Sequence, residues 1–362
     1  MFNKSLIFII INSIVLLLVC DFLFGTKILK MINEPTKIIE TKPTDKNDIF
    51  DYNFKKNLDK NFFYSKFEYR VCTNSLSLRS DCSKDKEMIE KDFDILFIGD
   101  SFTEGVGLDY NDTFVGIFEN SLKLNIGNLG VSSYSPYNYY KKIKYYIDEL
   151  KINTKEVIVF LDLSDAENDF NRFIKENKLS SLQRNDKVET QDNLNLKLRL
   201  RKMFPLIYEG LFFLKHYKLP NPKYRYHPNY SLSAWPYTKV NYDLNKALDL
   251  NKIYMTKLYE YLREKNIDLS VAVYPYPNTL IYDNLNSNYV SLWKNFCLEK
   301  CKNFFNFFPL FFENKNKLDF KEALEKVSLY YLDGDMHYNK LGNEKIANDL
   351  INFFKNNTLI SN

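Results

Sequence analysis

The chain has 362 residues, and 50 Lys and Arg against 46 Asp and Glu leave a formal net charge of +4. This near balance argues against a nucleic-acid-binding protein with a strongly basic surface and against an acidic tail protein. The hydrophobic content of 45% provides apolar surface for a core, and 10 Gly with 11 Pro exclude a collagen-like or low-complexity chain. With three histidines in the chain, any histidine chemistry must use His216, His227 or His337.

The first predicted element is an apolar run over residues 6–24, flanked by Lys4 and Lys27. A helix needs about 20 mostly apolar residues to cross a bilayer, so we predict an N-terminal membrane anchor at residues 1–30. A cleaved signal peptide is the alternative, but no small-residue cleavage pattern follows the run. The residue before Cys20 is Val19, which fits a lipoprotein signal poorly.

Residues 31–60 are rich in Lys, Asn, Asp, Thr and Pro, a composition that predicts a linker.

After the linker come Cys72, Cys82, Cys297 and Cys301, an even set that suits disulfides in an oxidising compartment. Buried or unpaired thiols are the alternative. Positive charges lie at both ends of the apolar run and give no clear orientation. The cysteines therefore favour an extracytoplasmic domain on the periplasmic side.

Apolar runs alternate with helical patterns along residues 61–362. Strands of a parallel sheet are predicted at 93–99, 124–130, 156–162 and 269–274. Helices are predicted at 113–124, 137–150, 242–265, 290–302 and 338–355. The alternation implies a three-layer α/β/α fold with a parallel central sheet, whose functional residues follow the strands. The polar and aromatic, proline-containing stretch at about 168–241 is predicted to be an insertion in this domain.

The first chemical motif, Gly99-Asp-Ser101-Phe-Thr103, directly follows the first buried strand. A serine at a strand-to-helix turn is exposed at the sheet edge, where its own backbone N–H can face an anion. Those are the requirements for a nucleophile with a built-in oxyanion donor. The alternative role for Ser101 is a plain helix N-cap.

The second motif lies far downstream, where Asp335 and His337 are two residues apart. Side chains at this spacing share a face of an extended segment. A carboxylate there can hold one imidazole nitrogen while the other accepts a proton from serine. A surface turn before the last helix is the alternative. His216 and His227 have no carboxylate at comparable spacing and are predicted to be surface or packing residues.

Motifs for cofactors and metals are incomplete, so we predict neither. Gly105 and Gly107 lack the third glycine of a dinucleotide loop, and no Gly-Lys-Ser/Thr phosphate loop is present. Thr103 breaks the Gly-x-Ser-x-Gly pattern of α/β-hydrolases. No His and Cys cluster has zinc-ligand spacing.

From about Tyr69 to the last helix, these residues together resemble the SGNH/GDSL hydrolase superfamily. The resemblance implies that Ser101 is the nucleophile and an oxyanion donor, that His337 is the base and that Asp335 is the acid. Many members have Asp-x-x-His, whereas Asp-x-His resembles the polysaccharide acetyltransferase branch. Asp333 is the alternative acid.

The segments that would supply further oxyanion donors depart from the family pattern. Residues 128–133 resemble the second family block, with Ser133 at the usual oxyanion glycine, where a backbone N–H is kept. Residues 162–165 stand in place of Gly-x-Asn-Asp, so Ser164 would replace the side-chain amide, with Asn168 as the alternative donor. The loss of one oxyanion donor costs about 3 kcal/mol of transition-state stabilisation.

The resemblance implies a membrane-anchored esterase or O-acyltransferase. Its substrate would be an acyl ester, above all an O-acetyl ester, of a cell-surface glycan, and no nucleic acid is implied. A catalytically inactive glycan-binding or assembly protein with the same fold is the alternative. Aromatic residues of the insertion would either line a sugar-binding cleft or pack the loop, and these are Tyr224, Tyr226, Trp235 and Tyr237.

Overall fold

The computed structural model describes residues 4–33, 43–64, 67–84, 91–176, 203–207 and 242–358. The chain divides into two compact units. One contains residues 1–39 and 177–224, and the other contains residues 40–176 and 225–362.

The described part of the first unit consists of helix α1, Lys4–Asn33, and residues 203–207. Asp21 interrupts the apolar run and is buried, and its carboxylate accepts hydrogen bonds from the backbone N–H groups of Leu206 and Ile207 at 2.9 and 2.8 Å. In the described part of the chain, no helix has both the length and the apolar character required to span a membrane. The anchor at residues 1–30 stays a prediction.

The second unit begins with two antiparallel hairpins that the sequence did not predict. Strand β1, Thr44–Asn47, pairs with β2, Asp51–Phe54, and β3, Asp59–Tyr64, pairs with β4, Phe67–Cys72. The hairpins and their connection place six buried side chains in the main core: Phe50, Phe54, Leu58, Phe62, Tyr69 and Val71. The domain thus extends into the predicted linker at residues 31–60, because Phe50, Phe54 and Leu58 belong to this core.

A five-stranded parallel sheet forms the centre of this unit. Its strands are β5, Asp92–Ile98; β6, Ile126–Asn128; β7, Asn153–Leu161; β8, Asp268–Val273; and β9, Asn303–Asn306. They are arranged in the order β6-β5-β7-β8-β9, and every neighbouring pair is parallel. The predicted α/β class and parallel central sheet are confirmed. The fifth strand, β9, was not predicted.

Helices cover both faces of the sheet. Among the described residues, the helices that follow α1 are α2, Ser101–Glu104; α3, Phe114–Leu122; α4, Pro136–Asp148; α5, Asp165–Glu176; α6, Leu244–Glu264; α7, Pro277–Tyr282; α8, Asn288–Cys297; α9, Phe308–Phe312; α10, Phe320–Tyr330; and α11, Lys340–Thr358. Because β6 and β7 lie on opposite sides of β5, right-handed connections put α3 and α4 on opposite faces. Accordingly, α3 packs against α11, and α4 packs against α6.

Two differences from the predicted elements have local causes. The helix predicted over residues 290–302 ends at Cys297, because the chain turns there and a disulfide links Cys297 to Cys301 before β9 begins. A second disulfide joins Cys72 to Cys82. The predicted insertion begins as the helix α5. Its remaining residues, 177–202 and 208–241, lie outside the described residues, and with them His216, His227, Tyr224, Tyr226, Trp235 and Tyr237.

Candidate active site

The carboxyl end of β5 carries Ser101 into the site. Gly99 is required there because a Cβ atom would lie 2.1 Å from the Thr103 hydroxyl oxygen. Asp100 is the N-cap of α2 and accepts a hydrogen bond from the backbone N–H of Phe102 at 3.0 Å. Ser101 is therefore the first residue of α2 rather than its cap, so the N-cap alternative for Ser101 is wrong. Its hydroxyl is half-buried.

A tight loop between α10 and α11 holds His337. The backbone of Leu332 donates to the carbonyl of His337 at 2.8 Å, and Gly334 turns the chain with a φ of +81°. On the C-terminal side of His337, the hydroxyl of Tyr338 donates to the carbonyl of Pro275, just after β8, at 2.6 Å. His337 is 5% exposed. The loop thus fixes a buried imidazole beside the sheet edge.

Ser101, His337 and Asp335 form one hydrogen-bonded chain. The Nε2 atom of His337 lies 2.7 Å from Oγ of Ser101, and its Nδ1 atom lies 2.5 Å from Oδ1 of Asp335. The same Asp335 oxygen accepts from the backbone N–H of His337 at 3.0 Å. Asp335 therefore reaches the imidazole through an Asx-type turn, not through the extended segment assumed from the spacing. Asp333 is exposed.

Two aromatic rings enclose the imidazole. Tyr64, at the end of β3, meets His337 edge-on with ring centroids 5.1 Å apart, and Phe102 lies 4.9 Å away. The Tyr64 hydroxyl also hydrogen-bonds to Asp335. Burial raises the pKa of the Asp335 carboxyl, but hydrogen bonds from His337 and Tyr64 outweigh it and hold the pKa below the usual range. Asp335 is thus an ionised partner for His337 at neutral pH.

A buried cluster of carboxyl groups lies behind Ser101. The Tyr274 hydroxyl is 3.3 Å from Asp100 and 3.2 Å from Asp162, which follows β7. Ser101 Oγ also lies 3.1 Å from the Asp100 carboxyl. Burial, together with the neighbouring Asp162, raises the pKa of Asp100 well above its ordinary value. Burial likewise raises the pKa of Asp165, with Asp162 adding to the effect.

The predicted oxyanion residue Ser133 lies in the loop that follows β6. Its φ of +62° is in the left-handed region, which glycine enters without steric cost and other residues rarely adopt. The preceding residue, Ser132, is anchored because its N–H and its hydroxyl donate to the buried Glu104 carboxylate at 2.6 and 2.7 Å. The Ser133 backbone N–H therefore belongs to a loop in which the preceding residue is fixed by hydrogen bonds to Glu104.

The predicted third donor, Ser164, points toward the acid cluster. Its N–H and its hydroxyl both lie 2.7 Å from Oδ1 of Asp162. The hydroxyl proton is engaged there, so this orientation does not present it to a substrate. Asn168 lies one turn further along, where its backbone N–H donates to the Ser164 carbonyl at 3.1 Å.

Potential metal ligands gather at one place among the described residues. Asp59, Cys72 and Cys82 bring ligand atoms within 4.8 Å of one another. The two sulfur atoms are joined in a disulfide and are not thiolate ligands. This group therefore does not fit a metal ion.

Sequence reasoning missed Tyr52, Tyr64 and Glu104. Tyr64 contacts the imidazole, and Tyr52 and Glu104 contact the loop that carries Ser133. The two tyrosines lie on the unpredicted hairpins. The apolar alternation at Phe62 and Tyr64 was the available sequence signal for a strand.

The fold and the site together define an α/β protein with a hydrogen-bonded serine, histidine and aspartate at the carboxyl edge of a parallel sheet. That is the arrangement used by serine hydrolases on several unrelated folds. No family model and no curated protein matches the chain.

Solved structures give similarities of fold. An esterase from a Pseudoalteromonas species is 12% identical with a TM-score of 0.38, and covers 75% of this chain and 100% of its own. A protein described as a lipolytic member of the G-D-S-L family, from Desulfitobacterium hafniense, is 13% identical with a TM-score of 0.35, over 72% and 99% of the two chains. An acetylxylan esterase from Geobacillus stearothermophilus is 12% identical with a TM-score of 0.35, over 72% and 93%. At these identities, no activity is transferred to this chain.

Proposed function

We propose that the chain is a serine-dependent ester hydrolase with Ser101 as nucleophile. The observation that carries this proposal is the pair of contacts from His337, 2.7 Å to Ser101 Oγ and 2.5 Å to Asp335 Oδ1. Such an imidazole can accept the serine proton while the ionised carboxylate holds its tautomer and stabilises the imidazolium.

In the proposed reaction, Ser101 Oγ attacks the ester carbonyl as its proton passes to Nε2 of His337. The tetrahedral intermediate then collapses, the C–O bond to the alcohol breaks, and the alcohol leaves with the proton from His337. Water then attacks the carbonyl of the acyl-enzyme and gives its proton to His337. The bond to Ser101 Oγ breaks, and Ser101 recovers the proton from His337. In a transferase, a sugar hydroxyl takes the place of water. The backbone N–H groups of Ser101 and Ser133 are the proposed oxyanion donors, and the third is either Ser164 or Asn168.

The finer substrate proposal comes from the sequence resemblance. It is an O-acetyl ester of a cell-surface glycan, with either hydrolysis or transfer to a sugar hydroxyl. Short aryl esters report the chemistry without the glycan, and a series from acetate to octanoate measures the size of the acyl site. A preference for octanoate over acetate would contradict the O-acetyl proposal.

The test of the catalytic proposal is turnover of an aryl acetate by the full-length protein. We expect Ser101→Ala and His337→Ala to lower kcat by at least about a thousandfold, whereas the exposed Ser291→Ala leaves kcat unchanged. Circular dichroism of each variant reports folding. Equal turnover by wild type and Ser101→Ala would contradict the proposal.

The second candidate is a catalytically inactive glycan-binding or assembly protein. The engagement of the Ser164 hydroxyl by Asp162 favours it, since a site with fewer oxyanion donors is a weaker catalyst. No aryl acetate turnover, together with no labelling of Ser101 by a fluorophosphonate, would favour this candidate.

The location proposed for the domain is outside the cytoplasm, attached to a membrane through residues 1–30. Two disulfides support an oxidising compartment, and large apolar side chains such as Phe8 and Leu17, 68% and 65% exposed, support attachment. Protease added to spheroplasts, in which any outer membrane has been opened and the inner membrane is intact, should degrade a C-terminally tagged chain. Degradation only after lysis would contradict this location.

A further inference from the structure

The first hairpin is fastened to the loop that follows β6. The Tyr52 hydroxyl donates to the backbone carbonyl of Ser132 at 2.6 Å. In the opposite direction, the Tyr134 hydroxyl donates to the backbone carbonyl of Tyr52, and the two rings lie 5.3 Å apart. Residues 132–134 are thus held directly by β2.

Buried polar groups hold the same hairpin from behind. The Lys142 amino group is buried and donates to the Asn53 side chain at 2.8 Å and to the Leu129 carbonyl at 3.0 Å. The Asn138 side chain donates to the Phe50 carbonyl at 3.0 Å. The position of Tyr52 is therefore set by contacts that do not involve its hydroxyl.

The carbonyl that accepts the hydrogen bond from the Tyr52 hydroxyl belongs to the peptide group between Ser132 and Ser133. The C=O of Ser132 and the N–H of Ser133 lie in one plane, so a bond that fixes the oxygen also fixes the direction of the N–H. A hydrogen bond at the oxygen polarises the peptide and strengthens its N–H as a donor. Ser133 has the costly φ of +62°, so an unrestrained peptide here would relax by rotating.

We propose that Tyr52 is a positioning residue for the oxyanion hole, acting through the peptide between Ser132 and Ser133. The inference rests on the proposed function, because it concerns the donor that Ser133 supplies to the developing oxyanion. Glu104 holds the N–H and the hydroxyl of Ser132, and Tyr52 holds its carbonyl. Tyr52 thereby restrains this peptide directly, and Glu104 restrains the residue that precedes it, before substrate arrives.

The test compares Tyr52→Phe with wild type in the full-length protein, using p-nitrophenyl acetate. We expect kcat to fall about tenfold with KM within about twofold, since the donor acts mainly on the transition state. Phenylboronic acid forms a tetrahedral adduct on the nucleophilic serine. Its inhibition constant should rise by about the same factor as the loss in kcat/KM.

Tyr134→Phe is the matched control. It removes one hydroxyl from the same interface between hairpin and loop, but not the bond to the Ser132 carbonyl. We expect its kcat and its boronate inhibition to stay near wild type. Equal effects of the two variants, or a loss in Tyr52→Phe confined to KM, would overturn the inference. A wild-type protein without Ser101-dependent turnover would overturn the proposed function and this inference with it.

Discussion

Ser133 occupies a backbone conformation that is costly for any residue with a Cβ atom. Its φ is +62°, and its side chain is exposed at the surface of the loop. The left-handed region costs an L-residue about 1–2 kcal/mol, while glycine enters it freely. The peptide N–H is the same for either residue, so the serine costs stability without removing the proposed oxyanion donor.

We predict that Ser133→Gly raises the free energy of unfolding by about 1 kcal/mol, measured by urea denaturation, with Ser101-dependent turnover retained. The neighbouring Ser132→Gly is the control. Ser132 does not have a left-handed φ, and its substitution by glycine removes the hydrogen bond from its hydroxyl to Glu104. Ser132→Gly should therefore destabilise the fold. A Ser133→Gly protein less stable than wild type would show that the strain is absent.

At the scale of elements, the first hairpin decides where the domain begins. Its polar composition predicted a linker, yet Phe50 is fully buried and its ring lies 5.6 Å from that of Tyr145 on α4. Four-residue strands carry too few alternating positions to be predicted from periodicity. The same limit applies to β9, whose four residues follow directly after a disulfide loop.

We predict that Phe50→Ala lowers the free energy of unfolding by about 3–5 kcal/mol, because it leaves a cavity in the main core. Phe63→Ala on β3 is the matched control, since its side chain is 44% exposed, and it should cost less than about 1 kcal/mol. Equal costs for the two variants, measured in urea, would mean that the hairpin is not part of the folded domain.

Across the whole molecule, the ends of β5 and β7 bring acidic groups together in a buried environment. Burial and the adjacent Asp162 raise the pKa of Asp100 well above its ordinary value. A carboxyl whose native pKa is raised contributes its stability below the ordinary pKa of 3.8 and loses it as the pH rises through the native pKa. The contribution of Asp100 to the stability of the fold should therefore decrease as the pH rises from acid towards alkaline values.

Asp100→Asn should flatten this dependence, because the amide has no charge to bury and still accepts the N-cap bond from Phe102. We predict that wild type loses more stability than the variant between about pH 5 and about pH 9, in urea titrations at several pH values. Asp45→Asn, at an exposed position, should follow the wild-type curve. Parallel curves for wild type and Asp100→Asn would contradict a raised pKa for Asp100.

The long strands, their alternation with helices and the α/β class could be predicted from the sequence, because strands buried on both faces need continuous apolar runs. The sequence also indicated that Ser101 follows a strand and that Asp335 and His337 lie near each other. Tertiary packing brings Ser101 into contact with His337, 236 positions away, and sets Tyr64 against His337 and Tyr52 against Ser132. Such contacts depend on how elements that are distant in the sequence pack together. The secondary-structure propensity of a local segment does not encode that packing.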